Sequence, residues 1–299
     1  MTDNEFLLED RLQKIRSVIN KYGEENFYVS FSGGKDSTVL SALIDLALPG
    51  NKIPRVYANT GIEYKLILEF VERERKREHA WELVILKPVI PIKPMLEKEG
   101  YPFKSKEHSA LVASYQKGNR GRWIQRYLLE KTGRYGIPDC LRYQFTQENK
   151  LKISEKCCHK LKIEPLRKYE KKFNKPYKIV GVMRSEGGRR SRAQCLAFQN
   201  DKLKSFQPLA PITKKWEDWF IKQFHVEICD IYKPPYNFNR TGCKGCPFNP
   251  HLQKDLDVLE KYFPNERKQC EAIWKPVYDE YRRIGYRLKK KEEDNEFHD

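Results

Sequence analysis

The chain has 299 residues and carries 58 Lys plus Arg against 41 Asp plus Glu, a formal charge of +17. With 39% hydrophobic and 12% aromatic residues, it is too apolar for wholesale disorder and long enough to bury a core. No stretch approaches the roughly 20 apolar residues of a membrane helix. The acidic segment Met1 to Asp10 lacks the basic and apolar regions of a signal peptide, so the expected location is cytoplasmic. In that compartment the eight cysteines are expected as core thiols, metal ligands or redox groups rather than disulfides. The excess of positive charge bears on anionic partners or on a solvated surface, not on the fold.

Residues 6–22 carry apolar positions at helical spacing (Phe6, Leu7, Leu12, Ile15, Val18, Ile19, Tyr22), and Gly23 stops the predicted helix. Asn26 to Phe31 is short, β-branched and aromatic, a buried strand. Ser32-Gly33-Gly34-Lys35-Asp36-Ser37 follows, then an apolar helix from Thr38 to Leu48 closed by Pro49-Gly50. Ile53 to Ala58 is a second strand, Asn59-Thr60-Gly61 a turn, residues 63–79 a charged helix and Glu82 to Leu86 a third strand. Strands alternating with helices predict an α/β fold with a doubly wound, mainly parallel sheet.

Residues 88–156 interrupt this rhythm. They are rich in Pro, Gly, Lys, Arg and aromatics, with one helix expected at 122–132, and read as a long basic insertion. Tyr177 to Met183 is a fourth strand, followed by a Gly/Arg-rich turn from Arg184 to Arg192. Trp216 to Phe224 reads as a helix, 232–250 as loop and 252–288 as one or two helices. Lys289 to Asp299 reads as a charged, frayed tail. The expected organisation is an α/β domain over 1–250, with its insertion at about 88–156, and a helical C-terminal extension over 251–299.

The string Ser32 to Ser37 lies between a predicted strand and a predicted helix, the context in which a short Gly motif has meaning. Two glycines let backbone amides approach a phosphate, and the helix start adds its positive end and unpaired N–H groups. Lys35 supplies a point charge, and Ser32 and Ser37 supply hydroxyls. The plain alternative is an ordinary capped strand-to-helix turn. A second signal is the pair of thiol pairs, Cys157-Cys158 and Cys243-Lys244-Gly245-Cys246. Four thiolates in a reducing compartment are enough for zinc or for an iron–sulfur cluster. Adjacent cysteines on a strand would face opposite sides, so Cys157 and Cys158 are expected in a turn or at a helix end.

A strand followed by Ser-Gly-Gly-Lys-Asp-Ser resembles the PP-loop ATP pyrophosphatases, the adenine nucleotide α-hydrolases. Asn59-Thr60-Gly61 resembles the Asp-Thr-Gly turn of their sulfonucleotide reductase branch, with Asn for Asp. The segment from Lys156-Cys157-Cys158 to Pro165-Leu166, and Thr241-Gly242-Cys243-Lys244-Gly245-Cys246-Pro247, resemble the cysteine segments of the iron–sulfur reductases. Val180-Gly181-Val182-Met183-Arg184-Ser185-Glu186 resembles their nucleotide turn, and Pro208-Leu209-Ala210-Pro211 with Trp216 their Pro-Leu-x-Pro…Trp segment. The matches run in family order over about residues 10–250 and are similar to the phosphoadenosine phosphosulfate (PAPS) reductase family.

That resemblance implies an adenine nucleotide, ATP or a sulfonucleotide, held by Ser32, Gly33, Gly34, Lys35, Asp36, Ser37, Asn59, Thr60, Gly61, Gly181 and Arg184. Lys35 and Arg184 would carry the catalytic charge, with Mg²⁺ accompanying ATP. Cys157, Cys158, Cys243 and Cys246 would ligate a 4Fe-4S cluster, with zinc as the alternative. The chain departs from the reductases in one respect. Their nucleophilic cysteine stands in a C-terminal Glu-Cys-Gly-x-His motif, whereas here the last cysteine is Cys270 in Lys268-Gln269-Cys270-Glu271, in a helical core pattern. The expectation is therefore ATP cleavage at the α-phosphate with pyrophosphate release, in support of sulfur transfer from a thiol or a sulfur donor protein. The alternatives are a sulfonucleotide reductase with another nucleophile and a nucleotide-gated nucleic-acid-binding protein.

In the insertion, Lys117, Arg120, Arg122, Arg126, Lys131 and Arg134 face one acid, Glu130, with Trp123, Tyr127 and Tyr135 interleaved. Such a pattern suits single-stranded DNA or RNA, with Arg120, Arg122, Trp123 and Arg126 as candidate contacts, or else a solvated basic face. Lys171, Lys172, Lys175, Lys178, Arg189, Arg190 and Arg192 form a second basic cluster. His108, His159 and His225 read as surface or core residues, with His159 a candidate neighbour of the metal centre.

Overall fold

The computed structural model describes residues 1–129 and 136–290. Glu130, Lys131, Arg134 and Tyr135, the end of the helix expected over 122–132, and positions 291–299 of the expected tail lie outside the described residues. In chain order the elements are α1 (Asp3–Tyr22), β1 (Phe27–Phe31), α2 (Lys35–Ala47), β2 (Arg55–Ala58), α3 (Lys65–Lys76) and β3 (Leu83–Leu86). Next come α4 (Ile92–Glu99), α5 (Lys106–Gln116), α6 (Arg122–Leu129), α7 (Glu164–Lys172), β4 (Tyr177–Ile179), β5 (Leu196–Gln199) and β6 (Lys202–Phe206). The last helices are α8 (Lys214–Gln223), α9 (Leu252–Tyr262) and α10 (Pro264–Arg283). They fall into two compact units, Met1–Val89 with Lys162–Thr241, and Ile90–Leu161 with Gly242–Asp299. The insertion expected at 88–156 and the helices expected after 251 thus share the second unit.

The first unit is built on a six-stranded sheet of order β3-β2-β1-β4-β6-β5. Its first five strands pair in parallel, and β5 closes one edge antiparallel to β6. Val29 of the central β1 stands opposite Arg55 on one side and Ile179 on the other. The chain leaves β1 toward β2 and later returns to β1's other flank as β4, so the carboxyl end of β1 is a topological switch point, where open α/β sheets bind ligands. One face of the sheet is covered by α1, α2 and α8 through Ile15, Ile19, Val39, Leu43, Trp216 and Phe220. The other face buries Tyr28 and Val56 against Tyr169 of α7. The first helix starts on a capping box, in which the Thr2 hydroxyl accepts from the Glu5 amide and the Glu5 carboxylate accepts from the Thr2 amide, and it ends at Gly23 with φ +82°.

The four expected strands are present. The hairpin β5–β6 is additional. Its turn residues Asn200 and Asp201 both adopt positive φ, +50° and +58°, the left-handed pair that matches the twist of a two-residue hairpin. The second unit also departs from the irregular reading of 88–156, because α4 and α5 form there. Their signals are local: Pro91 and Pro94 fall at and just inside the start of α4, where a missing N–H costs little, and the Ser105 hydroxyl caps α5 by accepting from the His108 amide. The rings of Phe103 and Tyr281 meet edge-on at 4.5 Å, and Val112, Leu141, Leu252, Leu256, Leu259, Trp274 and Val277 are buried in this unit. His108 is a core residue, with its ring nitrogens bonded to the Tyr127 hydroxyl and the Gln144 side chain. No described helix is long and apolar enough to cross a membrane.

Arg55 opens β2 with no exposed surface. Its guanidinium reaches Asp45 Oδ1 at 2.7 Å, Asn51 Oδ1 at 2.8 Å and Ser41 Oγ at 2.9 Å, and lies 4.5 Å from the centre of the Trp81 ring. Burial lowers its pKa to about 10, still charged at neutral pH, so the fold contains a buried cation whose anion is Asp45. Asp45 is partly solvated, which discounts the pair below a fully buried one. The expectation is that Asp45→Ala lowers unfolding free energy by about 2 kcal/mol, read from urea denaturation. A loss indistinguishable from that of a surface Asp→Ala control would remove this role.

Candidate functional site

The Ser32–Ser37 turn leaves β1 and enters α2 at the switch point. Gly33 has φ +68°, and a Cβ there would stand 2.9 Å from Val71 Cγ2 and 3.2 Å from Ile67 Cγ2 of α3. A Cβ on Gly181, just past β4, would stand 2.9 Å from the Asp36 carbonyl oxygen. The turn is thus gripped by backbone on one side and by a helix on the other, and only glycine fits at both places. Inside it, the Ser37 hydroxyl donates to the Gly34 carbonyl at 2.9 Å and lies 3.0 Å from the Ser32 hydroxyl, while the Ser32 and Gly34 amides donate to Ser37 Oγ and Ser32 Oγ. Gly34 is the N-cap of α2 and has no side chain of its own to cap the helix. The Lys35 amide meets the buried Tyr232 hydroxyl, which bonds in turn to the Thr241 hydroxyl. Beyond that amide, a helix start with no N-cap side chain, beside a cleft, is an anion-binding arrangement.

That cleft is a cavity of 420 Å³ lined by Ser32, Gly34, Lys35, Asp36 and Ser37 and by Val180, Gly181, Glu186, Arg190, Lys214, Tyr232, Asn239, Arg240 and Thr241. The volume lies within the roughly 300–1,000 Å³ typical of small-molecule sites. Each lining cation already has an acid. Lys35 Nζ is 3.0 Å from Asp218 Oδ1 and 3.4 Å from Glu217 Oε2. Lys214 Nζ is 2.6 Å from Asp36 Oδ1 and 3.1 Å from Glu217 Oε2. Arg190 pairs with Glu186, and Arg240 lies 3.7 Å from the same carboxylate. Glu217 has no exposed surface. Burial first, and then Asp36, push its pKa up to about 7 against the pull of Lys214 and Lys35.

Of the expected nucleotide residues, Ser32, Gly34, Lys35, Asp36, Ser37 and Gly181 come together in this cavity, with Gly33 inside the turn. Arg184 is not among the lining residues, and its Nε donates to the Ala193 carbonyl at 2.8 Å. Asn59-Thr60-Gly61 does not line the cavity either. Thr60 donates through its amide and hydroxyl to Glu63, and the Gly61 amide to Asn59 Oδ1 at 2.8 Å. Residues that sequence reasoning did not assign to the site are Lys214, Glu217, Tyr232 and Arg240. Lys214 and Glu217 flank Trp216 of a segment already singled out, a signal that was available. Nothing in the sequence marks Tyr232.

Four of the six cysteines of the second unit, Cys157, Cys158, Cys243 and Cys246, also lie near one another. Cys157 and Cys158 stand on the first turn of a helical segment that continues as a π-helical stretch, His159–Ile163, as the helix-end expectation requires. The Cys243-x-x-Cys246 turn closes with the Cys246 amide donating to the Cys243 carbonyl at 3.2 Å. Helix α10 clasps its backbone: Trp274 Nε1 donates to the Lys244 carbonyl at 3.0 Å, the Tyr278 hydroxyl to the Gly245 carbonyl and the Tyr281 hydroxyl to the Pro247 carbonyl at 2.9 Å. The Cys157 thiol is pushed well above its ordinary range by its hydrogen bond with Cys158, by burial and by the like charges of Cys158, Cys246 and Cys243. Cys158, Cys243 and Cys246 are therefore all within electrostatic reach of Cys157. Among the described residues no three Cys, His, Asp or Glu side chains stand in a metal-holding arrangement. Cys270, the last cysteine, has no exposed surface, and burial pushes its thiol up to about 12.

The family model of the phosphoadenosine phosphosulfate reductase domain matches residues 26–132 and 124–249. The chain belongs to this family, which is one of enzymes. The uncharacterized protein MJ0973 of Methanocaldococcus jannaschii is 25% identical over 295 residues, 89% of this chain and 58% of the relative, so the chain spans under two thirds of the curated relative it matches. Among solved structures, the phosphoadenylyl-sulfate reductase of Candida auris is 11% identical with a TM-score of 0.48, covering 81% of this chain and 96% of that one. The U34-tRNA thiolase NcsA of Methanococcus maripaludis, with its 4Fe-4S cluster, is 14% identical with a TM-score of 0.39, covering 96% and 82%.

Gly181 offers a direct test of the gripped turn. Gly181→Ala forces a methyl against the Asp36 carbonyl, backbone that cannot rotate away, and is expected to lower stability by about 1–3 kcal/mol. A thermal melt unchanged from wild type would show that the turn is looser than this packing requires.

Proposed function

We propose that this protein binds ATP in the cavity at the Ser32–Ser37 turn and transfers its adenylyl group to an acceptor. An acceptor oxygen attacks the α-phosphate, the bond between that phosphorus and the oxygen bridging to the β-phosphate breaks, and pyrophosphate leaves on the turn. The acceptor's proton passes to solvent. A sulfur donor then attacks the activated carbon and displaces AMP. The observation that carries this reading is the uncapped start of α2 facing a cation-lined cavity at the sheet's switch point. Phosphoryl chemistry asks mainly for positioning and charge neutralisation, which Lys35, Lys214, Arg190 and Arg240 supply, with the Mg²⁺ of the nucleotide.

The donor set of four thiols on two turns suits a soft metal, and a bound cation would stabilise the Cys157 thiolate that the Cys158 hydrogen bond, burial and like charges disfavour. We assign Cys157, Cys158, Cys243 and Cys246 as ligands of a 4Fe-4S cluster, with zinc the alternative occupant. Such a cluster would bind and deliver sulfur when present. The residues around it fix the Cys-x-x-Cys turn through Trp274, Tyr278 and Tyr281. A sulfonucleotide reductase is the second reading. The buried Cys270, with its thiol held up at about 12, is poorly placed as a nucleophile and favours the first.

For the acceptor we propose nucleic acid. Trp123 on α6 is 75% exposed while Ile124 and Tyr127 of the same helix are buried, and the exposed Arg122 and Arg126 share its outer face. The Arg120 guanidinium stacks 3.5 Å from the centre of the Tyr115 ring. An exposed indole among arginines suits a stacked base with its phosphates.

Two measurements check these readings. Anaerobically purified protein should contain iron and sulfide and release pyrophosphate from ATP in the presence of acceptor, and Lys35→Ala should lower that turnover about 100-fold. Sulfite release from adenylyl sulfate without pyrophosphate release from ATP would instead establish the reductase reading. Single-stranded RNA or DNA should bind with an affinity that falls steeply with salt, and Trp123→Ala should weaken it by about 1–3 kcal/mol. Salt-independent binding, or an unaffected Trp123→Ala, would dismiss this surface as the acceptor site.

A further inference from the structure

One group in the first unit is not used by the proposed chemistry. Glu217, on the first turn of α8, has no exposed surface, and its Oε1 is buried without a hydrogen-bond partner. Its other oxygen, Oε2, lies 3.1 Å from Lys214 Nζ and 3.4 Å from Lys35 Nζ. The charged groups that act on it are Lys35 and Asp36 from α2 and Lys214 from its own helix, while Asp218 shares Lys35 with it. A half-satisfied, fully buried carboxylate is costly. It is tolerated here because two ammonium groups hold its charge, and those same ammonium groups line the cavity.

Resting on the reading of that cavity as a polyphosphate site, we propose that Glu217 is a positioning residue that holds Lys35 and Lys214 in reserve and takes up a proton from solvent when a polyphosphate draws the two lysines to itself. Without ligand, Glu217 and the lysines neutralise one another, which keeps two cations at the mouth of the turn without leaving them uncompensated. A polyphosphate competes for the same Nζ atoms. As they shift to the phosphates, Glu217 loses both cations while Asp36 remains and new negative charge arrives. Each change favours its neutral form, and the proton that binds gives the orphan Oε1 or its partner oxygen a hydrogen to donate. Ligand binding and protonation then help each other, by the same factor in either direction. The sign follows directly: affinity for polyphosphate is highest where Glu217 protonates readily and falls as pH rises above about 7.

The test uses the full chain and inorganic pyrophosphate. Calorimetric titration in buffers of different ionisation enthalpy counts protons taken up on binding, in wild type, Glu217→Gln and Asp218→Asn. The difference between wild type and Glu217→Gln cancels the ionisation of pyrophosphate itself. Wild type should take up more protons than Glu217→Gln, and its affinity should fall more steeply with pH, by up to about tenfold more per pH unit above neutrality. Asp218→Asn should retain the uptake, because the exposed Asp218 touches Lys35 alone. Equal proton counts in wild type and Glu217→Gln, with parallel pH profiles, would overturn the proposal while leaving the polyphosphate site intact. Failure of wild type to bind pyrophosphate would instead overturn the reading of the cavity, and this one with it. Should Glu217→Gln not fold, infrared difference spectra of the wild type decide. A newly protonated carboxyl on pyrophosphate binding supports the proposal, and its absence refutes it.

Discussion

The first turn of α2 is the constraint around which the sheet unit is organised. A helix whose N-cap is glycine has no cap side chain to take its first amides, and here the surrounding structure frames the turn instead. Gly33 lies against Ile67 and Val71, Gly181 against the Asp36 carbonyl, and Tyr232 takes the Lys35 amide. The serines complete the frame. Because the Ser37 hydroxyl donates to Gly34 and sits against the Ser32 hydroxyl, these side chains stiffen the loop first, and the grip on an anion falls to backbone amides and ammonium groups. A loop ordered in advance in this way spends its conformational entropy on folding, not on binding.

Charge in the cavity is organised by pairing and not by excess. The chain's +17 says nothing about the cleft, where Lys35, Lys214, Arg190 and Arg240 all stand against Asp36, Glu186, Glu217 and Asp218. Arg190 and Arg240 share the nearly buried Glu186 carboxylate, while Lys35 shares the exposed Asp218, so a ligand bearing several negative charges competes with pairs of unequal burial. The buried Glu217 differs because no solvent compensates it. The cleft therefore combines two arginines held by Glu186 with one fully buried carboxylate whose charge depends on its two lysines.

Much of the fold was legible, and what was missed has a common physical origin. The four buried strands and the Ser32–Ser37 turn announce themselves through apolar runs broken by glycine, which are local signals. The hairpin β5–β6 carries Lys202, Lys204 and Gln199 at exposed positions, so its apolar content is too thin to read as a strand, and only Asn200-Asp201 marks the turn. Helices α4 and α5 are short, begin at Pro91 and Ser105, and bury a few scattered residues such as Met95, Leu96 and Val112, too few for a clear period. At the site, the residues the motif names are contiguous or glycine-marked. Lys214, Tyr232 and Arg240 reach the cavity, and Glu217 the lysines behind it, only through the sheet's topology, and a lysine that will neutralise a buried acid looks the same in sequence as one that faces water.

The cysteine turn shows the same division between local and long-range information from the opposite side. The spacing of Cys243 and Cys246 is visible in the chain, but the shape between them is imposed from α10. Lys244 is turned inward to Glu266 at 2.6 Å and Gln269 at 2.9 Å. Gly245 adopts φ +62° with Cys270 Sγ 2.7 Å from where a Cβ would be. With Trp274, Tyr278 and Tyr281 donating to three successive parts of its backbone, the turn is shaped by aromatic hydrogen bonds buried in its own unit, before any ion is considered. Thiols brought together by such a scaffold repel as they ionise, and that repulsion is registered at Cys157. The fold thus disfavours the Cys157 thiolate, which a proton keeps neutral and a bound cation would stabilise.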